Sequence, residues 1–178
     1  MTYWRMRIRD GKGGQDLWPI CQEHEVAAIT YDGIRDIDLR PYSENLHPPS
    51  WNQINGSAAK TSLSRFAWQI RGGDTIFVAS HGEIVGMGHP SANSGELGYR
   101  FDPNSPIAPN DGVPWHNLID MDWETSFNSF KPASMRAPLL HSCRPAPDPP
   151  RAFCTIESIQ DLVERCAWNP SNSREEAD

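Results

Sequence analysis

Apolar and polar residues alternate at the start of the chain, where Trp4, Met6 and Ile8 fall between Tyr3, Arg5, Arg7 and Arg9. A period of two sends successive side chains to opposite faces of a strand, so this stretch predicts a strand with Trp4, Met6 and Ile8 inward and the three arginines outward. Asp10-Gly11-Lys12-Gly13-Gly14 breaks the pattern. Residues 17–25 suit a short helix, and Val26-Ala27-Ala28-Ile29-Thr30-Tyr31 reads as a buried second strand stopped by Asp32-Gly33.

Residues 35–57 turn polar, with Pro41, Pro48, Pro49 and Gly56, yet carry Tyr42 and Trp51. Long connections in compact domains are frequently binding elements. From Lys60 onward, Leu63, Phe66, Ala67 and Ile70 follow the helical period, and Gly72-Gly73 supplies a stop signal. Asp74-Thr75-Ile76-Phe77-Val78-Ala79 then predicts a strand, Ser80-His81-Gly82-Glu83 a turn, and Ile84-Val85-Gly86-Met87-Gly88 the returning strand of a hairpin. Residues 91–114 read as loop and 118–123 as a further strand. Crossover helices between successive strands are missing, which favours a small curved sheet or barrel over a parallel α/β layer.

Residues 132–150 hold 6 prolines, so no regular element is expected there, only a linker or an extended strap. Behind Thr155, Ile156, Ile159, Leu162, Val163, Cys166 and Ala167 repeat at helical spacing as far as Asn169-Pro170. Residues 171–178 read as a disordered tail. The expected organisation is a barrel over 1–131, a strap over 132–150, a helix over 151–170 and the tail.

Composition narrows the picture. A chain of 178 residues fits one core. No apolar run approaches the ~18 residues of a membrane span, and Met1-Thr2-Tyr3-Trp4-Arg5 does not open a signal peptide. The 4 cysteines form no CxxC pair, which points to free thiols and a cytoplasmic setting. The net charge of -7 disfavours nonspecific attachment to phosphate backbones, but residues 1–75 are balanced and the whole acidic excess lies in 76–178. A neutral or basic face on the first half is therefore compatible with a nucleic-acid partner.

No G-x-S-x-G, HExxH, DxDxDG or GxxxxGK[ST] motif occurs, and Cys21-Gln22-Glu23-His24 lacks two further ligands at matching spacing. No catalytic residue, metal site or cofactor is assigned on these grounds.

The run Ile70-Arg71-Gly72-Gly73-Asp74-Thr75-Ile76-Phe77-Val78, the Ser80-His81 turn, Ile84-Val85-Gly86-Met87-Gly88, and Trp115 before a strand ending at Trp123 together resemble the PUA-like superfamily, in particular its EVE and YTH-like branch. Residues 3–31 also look like the modified-base-reading domains fused to modification-dependent restriction enzymes. The resemblance covers about residues 3–125 and departs from EVE domains where a tyrosine usually precedes the histidine. It implies a small twisted β-barrel that flips one nucleotide out of DNA or RNA and holds its base in an aromatic pocket; with the inserted helices and the C-terminal helix read from the spacing, the expected fold class is α+β. Modified DNA is favoured over RNA, in a restriction, defence or RNA-modification context.

Carried over by position, the resemblance implies a base pocket of Tyr31, Asp32, Trp51, Ser80 and His81, with Tyr99 and Trp115 supplied by the loop that closes over it. Stacking on aromatic walls returns roughly 1–3 kcal/mol per base, enough for two or three walls to offset extrusion. Arg5, Arg7, Arg9, Lys12, Arg35 and Lys60 are the candidates for phosphate contacts. Trp68 and Trp123 read as packing. For each ring the competing reading is also core packing, and for His81 a solvated turn.

Two other classes compete. An ASCH-like hydrolase or nuclease of the same barrel class would gather Lys60, Asp74, Ser80, His81, Glu83 and His116 in one cleft. A protein-interaction module would use the strap and last helix to dock a partner or a fused nuclease or NTPase. The expected state is a monomer or weak dimer with no membrane association.

Overall fold

The computed structural model describes residues 3–10, 14–81, 83–92 and 96–129 and the backbone of 143–145. The elements run β1 (Tyr3–Met6), α1 (Trp18–Glu23), β2 (Val26–Ile29), a 3-10 turn (Pro49–Gln53), α2 (Ser57–Trp68), β3 (Thr75–Ser80), β4 (Glu83–Pro90), β5 (Tyr99–Phe101), β6 (Asn117–Trp123) and β7 (Cys143–Pro145). The strands form one mixed sheet in the order β2-β6-β4-β3-β1-β7, with β5 also paired to β6. Only β1 and β3 run parallel; the other pairs are antiparallel. The sheet curls into a half-barrel carrying two helices, an α+β arrangement. No helix of the described residues is long and apolar enough to cross a membrane.

The alternation in β1 is realised on its apolar side, since Trp4, Met6 and Ile8 are buried. Its polar side differs from expectation. Arg5 is buried while Arg7 and Arg9 are half-exposed. The reason is topological: β1 is an inner strand, with Arg5 opposite Phe77 of β3 on one side and Arg144 of β7 on the other. Thr75, Phe77 and Ala79, whose side chains share the Arg5 face, are buried too. The strand β7 also corrects the expectation that the proline-rich span holds no regular element. Pro145 is tolerated because β7 ends the sheet path, and an edge strand can spare an N–H donor.

The helix α2 begins at Ser57 behind Gly56, whose φ of 86° only glycine adopts without strain, and it turns Leu63, Phe66 and Ala67 into the core. It ends at Trp68, earlier than the glycine pair suggested. Gly73 instead shapes the turn into β3, where the Asp74 amide donates to the Arg71 carbonyl at 3.1 Å. The hairpin β3–β4 forms as expected, with a bulge between Val78 and Ala79 that helps the sheet to curl. β5 lies in a stretch expected to be loop. The strap, C-terminal helix and tail, apart from the backbone of 143–145, lie outside the described residues.

The helix α1 is seated on the sheet through Trp18. A Cβ at Gly86 would overlap the Trp18 indole, and one at Gly88 would stand 2.5 Å from Cε3 of Trp123. Trp18 and Trp123 meet edge to face at 4.8 Å. The glycines of the Ile84–Gly88 stretch thus make room for two indoles. Cys21 on α1 is completely buried, and that burial, followed by the nearby Asp16 charge, pushes its thiol far up, so it packs as an inert apolar group.

Candidate functional site

Three groups of residues outside the plain core stand out, and they bring together the expected pocket residues only in part. The first is the ring cluster of the 35–57 connection. Trp51, on the 3-10 turn, lies 5.4 Å from Trp68 of α2, and the exposed His47 ring lies nearly parallel to Trp51 at 4.5 Å and 5.8 Å from Trp68. Trp51 is only 7% exposed, so it is a wall already covered rather than an open one. Leu46, at 61% exposure, adjoins this cluster in sequence.

The second group sits where β2, β5 and β6 end. Tyr99 was expected in a closing loop, but it stands on β5 and is buried. Its hydroxyl accepts the Leu39 amide at 3.1 Å and donates to Asn117 Oδ1 at 2.7 Å. Leu39 in turn accepts Trp68 Nε1 at 3.2 Å, which ties the ring cluster to Asn117. Burial drives the Tyr99 phenol well above its ordinary range, so it keeps its proton. With Oδ1 accepting that proton, Asn117 Nδ2 points elsewhere and has no hydrogen-bond partner among the described residues.

Three of the five buried polar side-chain atoms without a hydrogen-bond partner among the described residues gather here: Asn117 Nδ2, Thr30 Oγ1 and His116 Nδ1. Ile29 pairs with Asn117, so Thr30 and His116 follow one position beyond the last rung. His116 Nδ1 lies 3.2 Å from Asp36 Oδ1 without hydrogen-bond alignment, and its ring meets Phe101 edge to face at 5.5 Å. Tyr31 is half-buried beside this strand end and Asp32 is exposed in the turn after it. Trp115, expected as a lid residue, is buried, with its amide on the Ile107 carbonyl at 2.7 Å.

The third group lies at the opposite end. Ser80 pairs with Glu83, five residues before Gly88, whereas Asn117 lies six residues before Trp123, the partner of Gly88 on an antiparallel strand. That offset amounts to on the order of 30 Å of strand length, so Ser80 and His81 do not share a pocket with Tyr99 and Asn117. Ser80 donates its hydroxyl proton to Asp16 Oδ2 and contacts His81 Nδ1 at 2.9 Å. Asp16 Oδ1 accepts the Trp18 amide at 3.0 Å. The cleft weighed for a hydrolase does not assemble either. Asp74 caps the start of β3, accepting Trp4 Nε1 at 2.9 Å and the Arg71 amide at 3.1 Å, while His116 stays at the Asn117 end.

Of the candidate phosphate contacts, Arg5 is buried and Arg9 donates to the Gly14 carbonyl at 2.5 Å. Arg7, Arg35 and Lys60 are half-exposed, and Lys12 lies outside the described residues. No group of three or more His, Cys, Asp and Glu able to hold a metal occurs among the described residues.

Asn117, Thr30, Asp16 and His47 escaped the sequence reading. One signal was present: starting β6 at 117 puts Asn117 on the same face as Ile119, Met121 and Trp123, a polar residue on an apolar stripe. The chain matches no known protein-family profile and no curated protein.

Proposed function

We infer that this chain binds nucleic acid and reads one extruded base, a modified base in DNA ahead of RNA, at the strand end formed by β2, β5 and β6. The observation that carries this reading is the amide of Asn117, completely buried, hydrogen-bonded through Oδ1 to Tyr99, and left with Nδ2 unpartnered among the described residues. A buried donor left without a partner costs about 1–3 kcal/mol, and a base edge offers the carbonyl oxygens and ring nitrogens that would remove that penalty. Thr30 adds a hydroxyl that both donates and accepts, and the half-buried ring of Tyr31 adds a stacking surface. Extrusion itself costs a few kcal/mol, which edge contacts and one or two rings can offset. Arg35, four residues beyond Tyr31, is the nearest half-exposed cation in the chain for a flanking phosphate.

Titration of duplexes carrying a methylated or unmodified base, at fixed salt, tests the reading. Tighter binding of one modified duplex is expected. Equal weak binding to all duplexes and to single strands overturns base reading.

A further inference from the structure

We propose that His81, backed by Ser80 and Asp16, is a proton-accepting and nucleophilic centre at the β3–β4 hairpin tip, distinct from the base site. Proton accounting leads there. Asp16, as a carboxylate, only accepts, and it takes the Trp18 amide on Oδ1 and the Ser80 hydroxyl proton on Oδ2. Ser80 has no second proton to give. The 2.9 Å contact between Ser80 Oγ and His81 Nδ1 is therefore a hydrogen bond donated by Nδ1–H. A neutral imidazole carrying its proton on Nδ1 leaves the lone pair on Nε2. The side chain of His81 is 69% exposed, so that lone pair is open to solvent.

The backbone reinforces the assignment. His81 adopts φ of +48°, a left-handed conformation uncommon for a residue with a Cβ and of the kind that recurs at functional sites, and its ring contacts Ser80 through Nδ1. Ser80 is anchored in β3, and Asp16 is tied both to α1 and, through the Arg9–Asp16 bridge, to the strand leaving β1. The loop that joins β5 to β6 reaches the same place, where the Asn110 amide donates to Gln15 Oε1 at 2.7 Å. Asp16 and Ser80 are positioning residues and His81 is the reacting group.

The chemistry is removal of a proton from water or a hydroxyl-bearing substrate. The O–H bond breaks, Nε2–H forms, and the oxygen keeps the electron pair for attack on an electrophile. The imidazolium that results retains Nδ1–H, and its charge is balanced by Asp16, whose Oδ2 lies 3.9 Å from Nδ1.

Diethyl pyrocarbonate provides the test on the full chain. Neutral Nε2 attacks a carbonyl carbon, a nitrogen–carbon bond forms, ethyl carbonate leaves with the bonding pair, and the Nδ1 proton passes to solvent or to the departing carbonate to leave a neutral acylimidazole. His81 is expected to react about tenfold faster than His24 and His47, which are exposed but lack this backing. Ser80→Ala should remove that advantage and Ser80→Thr should restore it. Nitrogen-15 NMR of the wild-type chain reads the tautomer directly, whether or not the variants fold. Nδ1–H on His81 supports the relay; Nε2–H, or a His81 rate equal to that of His24, overturns it.

Discussion

Tyr99 holds Asn117: its hydroxyl donates to Oδ1 at 2.7 Å while accepting the Leu39 amide at 3.1 Å. One phenol oxygen thus serves β5, β6 and the long connection together. Tyr99→Phe keeps the ring and strands both partners. It should lower stability by about 1–3 kcal/mol, because a buried amide hydrogen and a buried carbonyl oxygen lose their partners. Urea unfolding should show a lower midpoint at unchanged slope, since the surface exposed on unfolding is unaltered.

A second prediction concerns the seat of α1. Gly86→Ala forces a methyl group into the Trp18 indole, and overpacking of this kind costs about 1–3 kcal/mol. Trp18→Leu opens a cavity with its own penalty. The double variant should lose less than the two single losses together, with a coupling of about 0.5–3 kcal/mol, because the methyl group then occupies vacated space. Additive losses in a double-mutant cycle would mean that the two residues do not touch.

The sequence made the local elements legible where a period was unambiguous. The alternation of Trp4 and Met6, the helical spacing of Leu63, Phe66 and Ala67, and the strand pattern on either side of Ser80-His81 all translate into the observed elements. What escaped it was set by partners distant in the chain. Arg5 looked like a wet-face residue because nothing local reveals that β7 lies alongside β1. Tyr99 looked like a lid residue because β5 is three residues long and owes its existence to β6. The candidate pocket was read as one site because strand ends and hairpin tips look alike in a one-dimensional pattern. Only the β4–β6 register separates Ser80 from Asn117.

Ring burial revises what substitution of the aromatic candidates would report. Trp51 is buried against Trp68 and His47, so Trp51→Ala should cost about 3–5 kcal/mol of stability and confound any binding measurement. Tyr31 is half-buried, and Tyr31→Ala should leave most of the stability in place. Calorimetric unfolding of the two variants beside duplex titrations separates core from site. A Tyr31→Ala chain as unstable as Trp51→Ala would place Tyr31 in the core.

Acid sensitivity should trace in part to Arg100, which bridges Asp102 at 2.8 Å and Asp120 at 2.7 Å. The hydrogen bond from Arg100, followed by one from the Asn104 amide, holds the Asp102 carboxyl below its usual range. A carboxyl whose folded-state value is depressed stabilises the fold above its unfolded value, near 3.9, and that contribution disappears as pH falls through the folded value. These side chains are about a third exposed, so solvent screening keeps the effect below about 1 kcal/mol. Asp102→Asn should therefore lower stability by up to about 1 kcal/mol between pH 6 and 8, where the contribution is fully present, and flatten the fall in stability below about pH 4. Melting temperatures across that range check the sign.

The sharpest separation of binding from folding is expected at Thr30. Its hydroxyl is buried and has no hydrogen-bond partner among the described residues, so replacing it with a methyl group breaks no bond seen there and removes an unmet polar group. Valine has the same branched shape and suits the end of a strand. Thr30→Val should accordingly melt at or above the wild-type temperature. If the hydroxyl contacts the base edge beside Asn117, the same variant should bind the preferred duplex on the order of tenfold more weakly, equivalent to about 1.4 kcal/mol. Thr30→Ser keeps the oxygen and gives up a methyl group, so it should reverse the pattern, with lower stability and retained affinity. Unchanged affinity in Thr30→Val removes this hydroxyl from the site, and a large fall in its melting temperature shows that the oxygen has a structural partner.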